Sequence, residues 1–255
     1  MTPQRHQPRQ ERAGTNGPVI WIFMVAIGLV SVAMTAWVVG MLVTVGGCFT
    51  FWQDRCERHA LDLVQEDLEY IAAAPRSLLV GDTVAFSLLI VDSVRRPFER
   101  LGVLHRYQRL QSQDNQNGEE AAAQPGSRPG GITKAARTGV DLLVRGAVLA
   151  MLVAQDVLLR LSVALFALPA FALAVLLGAL DGFVRRDLRR WSGGRESSVI
   201  YHHAKHYTLW ALTGGFGLYL SWPFGGFNPA YMVLVFTVLV AATLSTSVGA
   251  YKKYL

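Results

Sequence analysis

The residues whose types and spacing could do chemistry are gathered in one short stretch, ESSVIYHHAKH, from Glu196 to His206. His202 and His206 stand four apart, so on a helix they would share a face and could hold a metal between their imidazoles. The protease arrangement HExxH places a glutamate after the first histidine as general base, and here that position is His203. Ser197 and Ser198 would need a GxSxG elbow and an acid partner to act as nucleophiles, and the sequence offers neither. Walker-type and dinucleotide-binding glycine loops and DNA-binding fingerprints are also missing from the chain. Asp62, Glu66, Asp67 and Glu69 form a second acidic group, whose simplest reading is a solvated helix face. The expectation is a protein that is not an enzyme and has no metal or cofactor.

The elements that would carry these residues are hydrophobic. Of the 255 residues, 52% are apolar and only 16% charged, against about 25% charged in soluble domains. No charge occurs from Ala13 to Gln53, from Leu161 to Leu180, or from Tyr207 to Tyr251, where SWPFGGFNPA interrupts the run. About 20 apolar residues cross a bilayer core as a helix. The first two runs each fit one span, and the third fits two spans joined by a turn. The first is too long for the core of a signal peptide. The expected fold class is therefore all-α, a polytopic membrane protein with four transmembrane helices and a helical periplasmic segment.

Orientation follows from the lysines and arginines near the spans. Arg5, Arg9 and Arg12 precede the first span; Arg185, Arg186, Arg189, Arg190, Arg195 and Lys205 lie between the second and third; Lys252 and Lys253 end the chain. All fall on one side if both termini are cytoplasmic. Residues 51–140 then face the periplasm, with 11 basic against 12 acidic residues. The net charge of +6 thus belongs to the membrane flanks, and direct nucleic-acid binding is not expected.

These considerations divide the chain into a disordered cytoplasmic tail (1–18), a first span (19–50), a periplasmic helical segment (51–140) with a flexible linker (111–131), and an amphipathic stalk running into the second span (141–180). A basic cytoplasmic loop (181–206), a helical hairpin of spans three and four (207–251) and a short cytoplasmic tail (252–255) complete it. In the periplasmic segment, Leu61, Val64, Leu68 and Ile71 form one apolar helix face that ends at Pro75, and one reading continues the helix of the first span into it. On such a helix Cys48 and Cys56 would lie about 12 Å apart along the axis, too far for an intrachain disulfide. Free or buried thiols are expected instead, with an intermolecular bridge through Cys56 as an alternative. A second helix is expected over Thr83–Leu110, with Val94, Phe98, Leu101 and Leu104 on one side; its tract VAFSLLIV either packs on the domain or skims the bilayer.

In the 141–180 helix, Asp141, Arg145, Asp156 and Arg160 follow one stripe. Asp156 and Arg160 belong either to a periplasmic stalk or to the membrane edge, where paired charges tend to be functional. Pro169 would kink this helix. Gly214, Gly215 and Gly217 in span three, and Ala241, Ser245 and Gly249 in span four, are small residues that permit close helix approach. They predict a tight antiparallel pair of spans three and four.

The segment DGFVRRDLRRWSGGRESSVIYHHAKHY resembles the signature of a membrane-protein family encoded in bacterial integrative and conjugative elements. RRDLRR, GRESS and YHHAK carry the likeness; the first 50 or so residues share only hydrophobic character. The resemblance implies an inner-membrane subunit or accessory of a conjugative type IV secretion apparatus, with other membrane subunits and the coupling ATPase as candidate partners. It implies no catalytic residue. Arg185, Arg186, Arg189, Arg190, Trp191, Arg195, Glu196, Tyr201, His202, His203 and Lys205 are the expected docking surface for a protein partner or for anionic lipid headgroups. Self-association remains open. The alternative reading is a small transport or exclusion protein that uses the polar pair Asp156/Arg160.

Overall fold

The computed structural model describes residues 18–53, 55–74, 77–123, 131–191, 214–226 and 228–249. Among them every regular element is helical. In chain order they are α1 (Pro18–Thr50), α2 (Cys56–Ala73), α3 (Thr83–Arg100), α4 (Val103–Ala123), α5 (Gly131–Phe166), α6 (Leu168–Trp191), the helical residues 214–220 (α7) and α8 (Pro229–Gly249).

Among the described residues four helices are long and apolar enough to cross a membrane: Ala26–Thr50 in α1, Thr138–Phe166 in α5, Leu168–Leu188 in α6, and α8. These only partly match the expected spans. The 141–180 helix is divided at Ala167, just before Pro169, which cannot donate the backbone hydrogen bond that would continue the ladder. Each side of the break yields a candidate span. The expected third span is described from residue 214 onward, and its first residues, 207–213, lie outside the described residues.

The four candidates differ in what covers them. Only 11% of the apolar window of α1 and 17% of those of α6 and α8 is buried by protein, whereas in α5 the share is 56%. The bare faces of α1, α6 and α8 carry exposed Phe23, Ile27, Val30, Leu173, Leu176, Leu180, Leu234 and Val238, the surface a hydrocarbon solvent requires. α5 is instead the axis on which α1, α2, α3 and α4 pack. It is a core helix and not a free stalk. Val148, Leu149, Met151 and Leu152 meet Ala60, and Leu159 meets Val64 and Ile71. Trp37 Nε1 donates to Ala150 O at 3.0 Å, tying α1 to the same axis.

Turns account for two further departures. α1 does not run on into α2: the chain turns at residues 51–55, the Phe51 and Trp52 amides bond to Gly47 O, and Trp52 folds back over Gly47. The turn brings Cys48 and Cys56 to a Cα–Cα distance of 5.3 Å, where they form a disulfide. The separation of about 12 Å expected along a continuous helix therefore does not apply. The helix expected over Thr83–Leu110 is likewise broken at Gly102, whose φ of 69° suits glycine. Val94, Phe98 and Leu104 still pack inward, while Leu101, at the break, is 75% exposed. α4 continues through Ala123, into the stretch read as linker; 124–130 lie outside the described residues.

Candidate functional site

Arg160 is the most densely bonded charge in the interior. Its Nε donates to Asp67 Oδ2 at 3.1 Å, Nη2 lies 3.0 Å from Asp156 Oδ1, and Nη1 donates to Tyr219 O and Trp222 O at 3.0 and 2.6 Å. The guanidinium also lies over the Tyr219 ring, 5.8 Å from its centroid. A buried guanidinium is tolerated when carboxylates balance its charge and carbonyls take up donors, as Asp67, Asp156, Tyr219 O and Trp222 O do here. Two of the acceptors are carbonyls where α7 ends, and one of them, Tyr219 O, also accepts the Trp222 N–H at 3.4 Å. Arg160 therefore joins α2, α5 and the hairpin between α7 and α8.

α2 reaches this point because its buried stripe is Ala60, Leu63, Val64, Asp67 and Ile71, at the spacing of one helix face. The stripe is rotated from the expected one, and Leu61 is 44% exposed. Asp67 is thus not on a solvated face. Its neighbour Glu66 accepts from the Tyr70 hydroxyl at 2.9 Å and from the backbone N–H of Gly226 at 2.7 Å. Gly226 has a φ of 80°, and a side chain on Gly225 would collide with the Glu66 carboxylate. The glycine pair is what lets the hairpin tip close on α2. Aromatic packing adds to the seal: Trp52 stacks on His59 at 4.0 Å, Phe224 lies 5.4 Å from both Trp52 and Trp222, and His59 Nε2 is 2.8 Å from Pro223 O.

Beside Asp156 is a cavity of about 10 Å³, bordered by Gly40, Thr44, Leu152 and Ser221. Such a space holds about one water molecule; it is not a passage for a solute.

The basic corner is partly described. Arg185 is exposed and pairs with Asp181 at 2.8 Å; Arg186 is half-buried; Trp191 is 91% exposed. Arg189 and Arg190 belong to α6. Arg195, Glu196, Tyr201, His202, His203 and Lys205 lie outside the described residues. Among the described residues no group of histidine, cysteine and carboxylate side chains could hold a metal ion.

Among the described residues the small residues of span four meet α6, while Met232 and Phe236 of α8 cluster with Tyr219 and Leu220 of α7. The most extensive helix pair among the described residues is α6 with α8. Side chains at Gly178 and Gly182 would strike the backbone of Ala241 and Ser245, with Cβ–O distances of 2.5 and 2.9 Å. Contacts at 178/241 and 182/245 advance together, so the pair is parallel. Ser245 Oγ donates to Asp181 Oδ2, and Gly249 is buried. Gly215 of α7 approaches α8, with Phe236 Cζ 2.8 Å from where a Cβ would stand; among the described residues Gly214 and Gly217 have nothing within 4 Å. The row Gly178-x-x-x-Gly182 was the available sequence signal for the contact with α6.

Fold and site together define an all-helical protein built for a membrane, with a polar interior joint and a basic helix end. The chain belongs to the DtrJ-like family of IncC plasmid conjugative DNA transfer proteins, whose model matches residues 51–252. The match bears out the resemblance to a conjugation-associated family and begins where α1 ends. No curated protein and no solved structure matches the chain.

Proposed function

We propose that this protein is a non-enzymatic inner-membrane subunit or accessory of a conjugative type IV secretion apparatus, with both termini in the cytoplasm and residues 51–140 in the periplasm. The observation that carries the reading is the family match over residues 51–252. Two structural features support the orientation. The Cys48–Cys56 disulfide at the end of α1 suits an oxidising compartment. At the opposite end, the parallel packing of α6 and α8 brings the Arg185–Arg190 helix end to the same side as the C-terminus of α8, as cytoplasmic basic flanks require.

In this reading the buried joint at Arg160 holds the helices in place, and the exposed basic corner docks a partner: another membrane subunit, the coupling ATPase or anionic headgroups. Such a protein works by holding others in position and needs neither cofactor nor reaction. Replacing Arg185, Arg186, Arg189 and Arg190 with glutamine should lower transfer frequency while the protein stays in the membrane fraction. Unchanged transfer would remove the corner from the mechanism. Purification from detergent should recover secretion subunits with the native chain and fewer with the variant; absence of the ATPase from both would exclude it as partner. A periplasm-active reporter should work when fused near residue 120 and stay silent near residue 193.

A further inference from the structure

We propose that the loop at residues 77–81 and the first two turns of α3 insert into the outer leaflet of the bilayer that α6 crosses. The outward face of α3 changes character along its length. Val84, Ala85, Leu88 and Leu89 are exposed in the first two turns. Asp92, Arg95, Arg96 and Glu99 follow in the next two, joined as the exposed ion pairs Arg95–Glu99 and Arg96–Asp92. In the preceding loop Leu78 is 89% and Leu79 56% exposed. A helix lying wholly in water has no reason to separate apolar from ionic residues along its axis, whereas a helix whose tip enters a bilayer does.

The position of the apolar end identifies the occupant. Ser77 Oγ donates to Phe166 O at 3.3 Å, and Phe86 packs edge-on against Phe166 at 5.8 Å. Phe166 is the last residue of α5, and α6 starts at Leu168. The apolar end of α3 therefore stands where the membrane-crossing helix begins, and exposed Leu165 and Leu168 continue its surface toward the belt of α6. The only charge from Ser77 to Val91 is Asp82. Its Oδ1 accepts the Ala85 N–H at 2.9 Å as a helix cap, which suits headgroup depth. The ionic half of α3 points away from this end.

The native cysteines are paired with each other, so a single introduced cysteine can be labelled selectively in the full chain. Leu78→Cys and Leu89→Cys would carry an environment-sensitive fluorophore in phosphatidylethanolamine–phosphatidylglycerol vesicles. Ser112→Cys serves as the aqueous reference and Leu176→Cys as the bilayer reference; all four positions are exposed on the protein, so the label meets no packing. The expected result is several-fold less quenching by aqueous iodide at 78 and 89 than at 112, together with strong quenching by lipids carrying a nitroxide near the headgroup. Iodide quenching equal to that at 112 would overturn the insertion and leave the face in water. Protection from both quenchers would also overturn it, because a second copy or another protein would then be covering the face.

Discussion

Two regions of this molecule bring helices together by opposite means. Where α6 meets α8, Gly178 and Gly182 face Ala241 and Ser245, and backbones touch with almost no side chain between them. Where α2, α5 and the α7–α8 hairpin meet, one guanidinium gathers two carboxylates and two carbonyls. The first method suits lipid, where burying apolar surface gives helices no advantage and close packing must hold them. The second concentrates the attachment in one side chain whose loss strands several buried polar groups. The closely packed pair should accordingly be sensitive to added volume and the polar joint to lost charge.

The largest effect is expected at Arg160. Arg160→Ala leaves Asp67 and Asp156 buried without a counter-charge, and breaking such a pair costs about 3–5 kcal/mol; denaturant unfolding in detergent micelles should show it. If Arg160→Ala cost no more than a surface substitution, the joint would not be what attaches the hairpin. Next comes the disulfide at the turn between α1 and α2. Cys48→Ser should cost about 2 kcal/mol by the loop-closure argument, and reductant should lower the melting temperature of the native chain but not of the variant. On the close-packed side, Gly178→Leu or Gly182→Leu should cost about 1–3 kcal/mol through overpacking. Gly217→Ala, where no described residue comes within 4 Å, should be neutral or slightly stabilising. Equal costs at 178 and 217 would remove the contrast.

The smallest effect lies where α4 meets the start of α2. The Tyr107 hydroxyl donates to Glu57 at 2.7 Å, and burial, then that hydrogen bond, pushes its pKa up to about 12 from the ordinary 10.0. The folded form thus holds the proton more tightly than the unfolded chain. Its stabilising contribution is complete below pH 10 and lost as pH rises toward 12. Tyr107→Phe should remove that part of the alkaline decline in unfolding free energy, leaving stability at neutral pH changed only by the loss of one hydrogen bond.

The helical class, the apolar runs and the basic corner were legible because each is a property of consecutive residues. Helix positions held less well wherever a turn intervened. Nothing local in Cys48–Cys56 distinguishes a continuing helix from one that turns at 51–55, yet this decides whether the sulfurs meet. Leu61 and Leu63 are equally apolar; which one faces inward depends on where α5 lies. Asp67 did leave a trace, as an acid spaced three from Val64 and four from Ile71, but its role depends on an arginine 93 residues away.

By itself the sequence determined that this is a helical membrane protein, that its charge collects at helix ends, and which signature relates it to conjugative transfer. Hydropathy and charge act on each segment wherever it ends up, so they can be read one segment at a time. Only the tertiary structure decided that α5 is a core helix, that α8 pairs with α6, and that Asp67, Asp156 and Arg160 form one joint. Those outcomes are contacts between distant segments, and such contacts exist only once turns have set the angles at which helices meet.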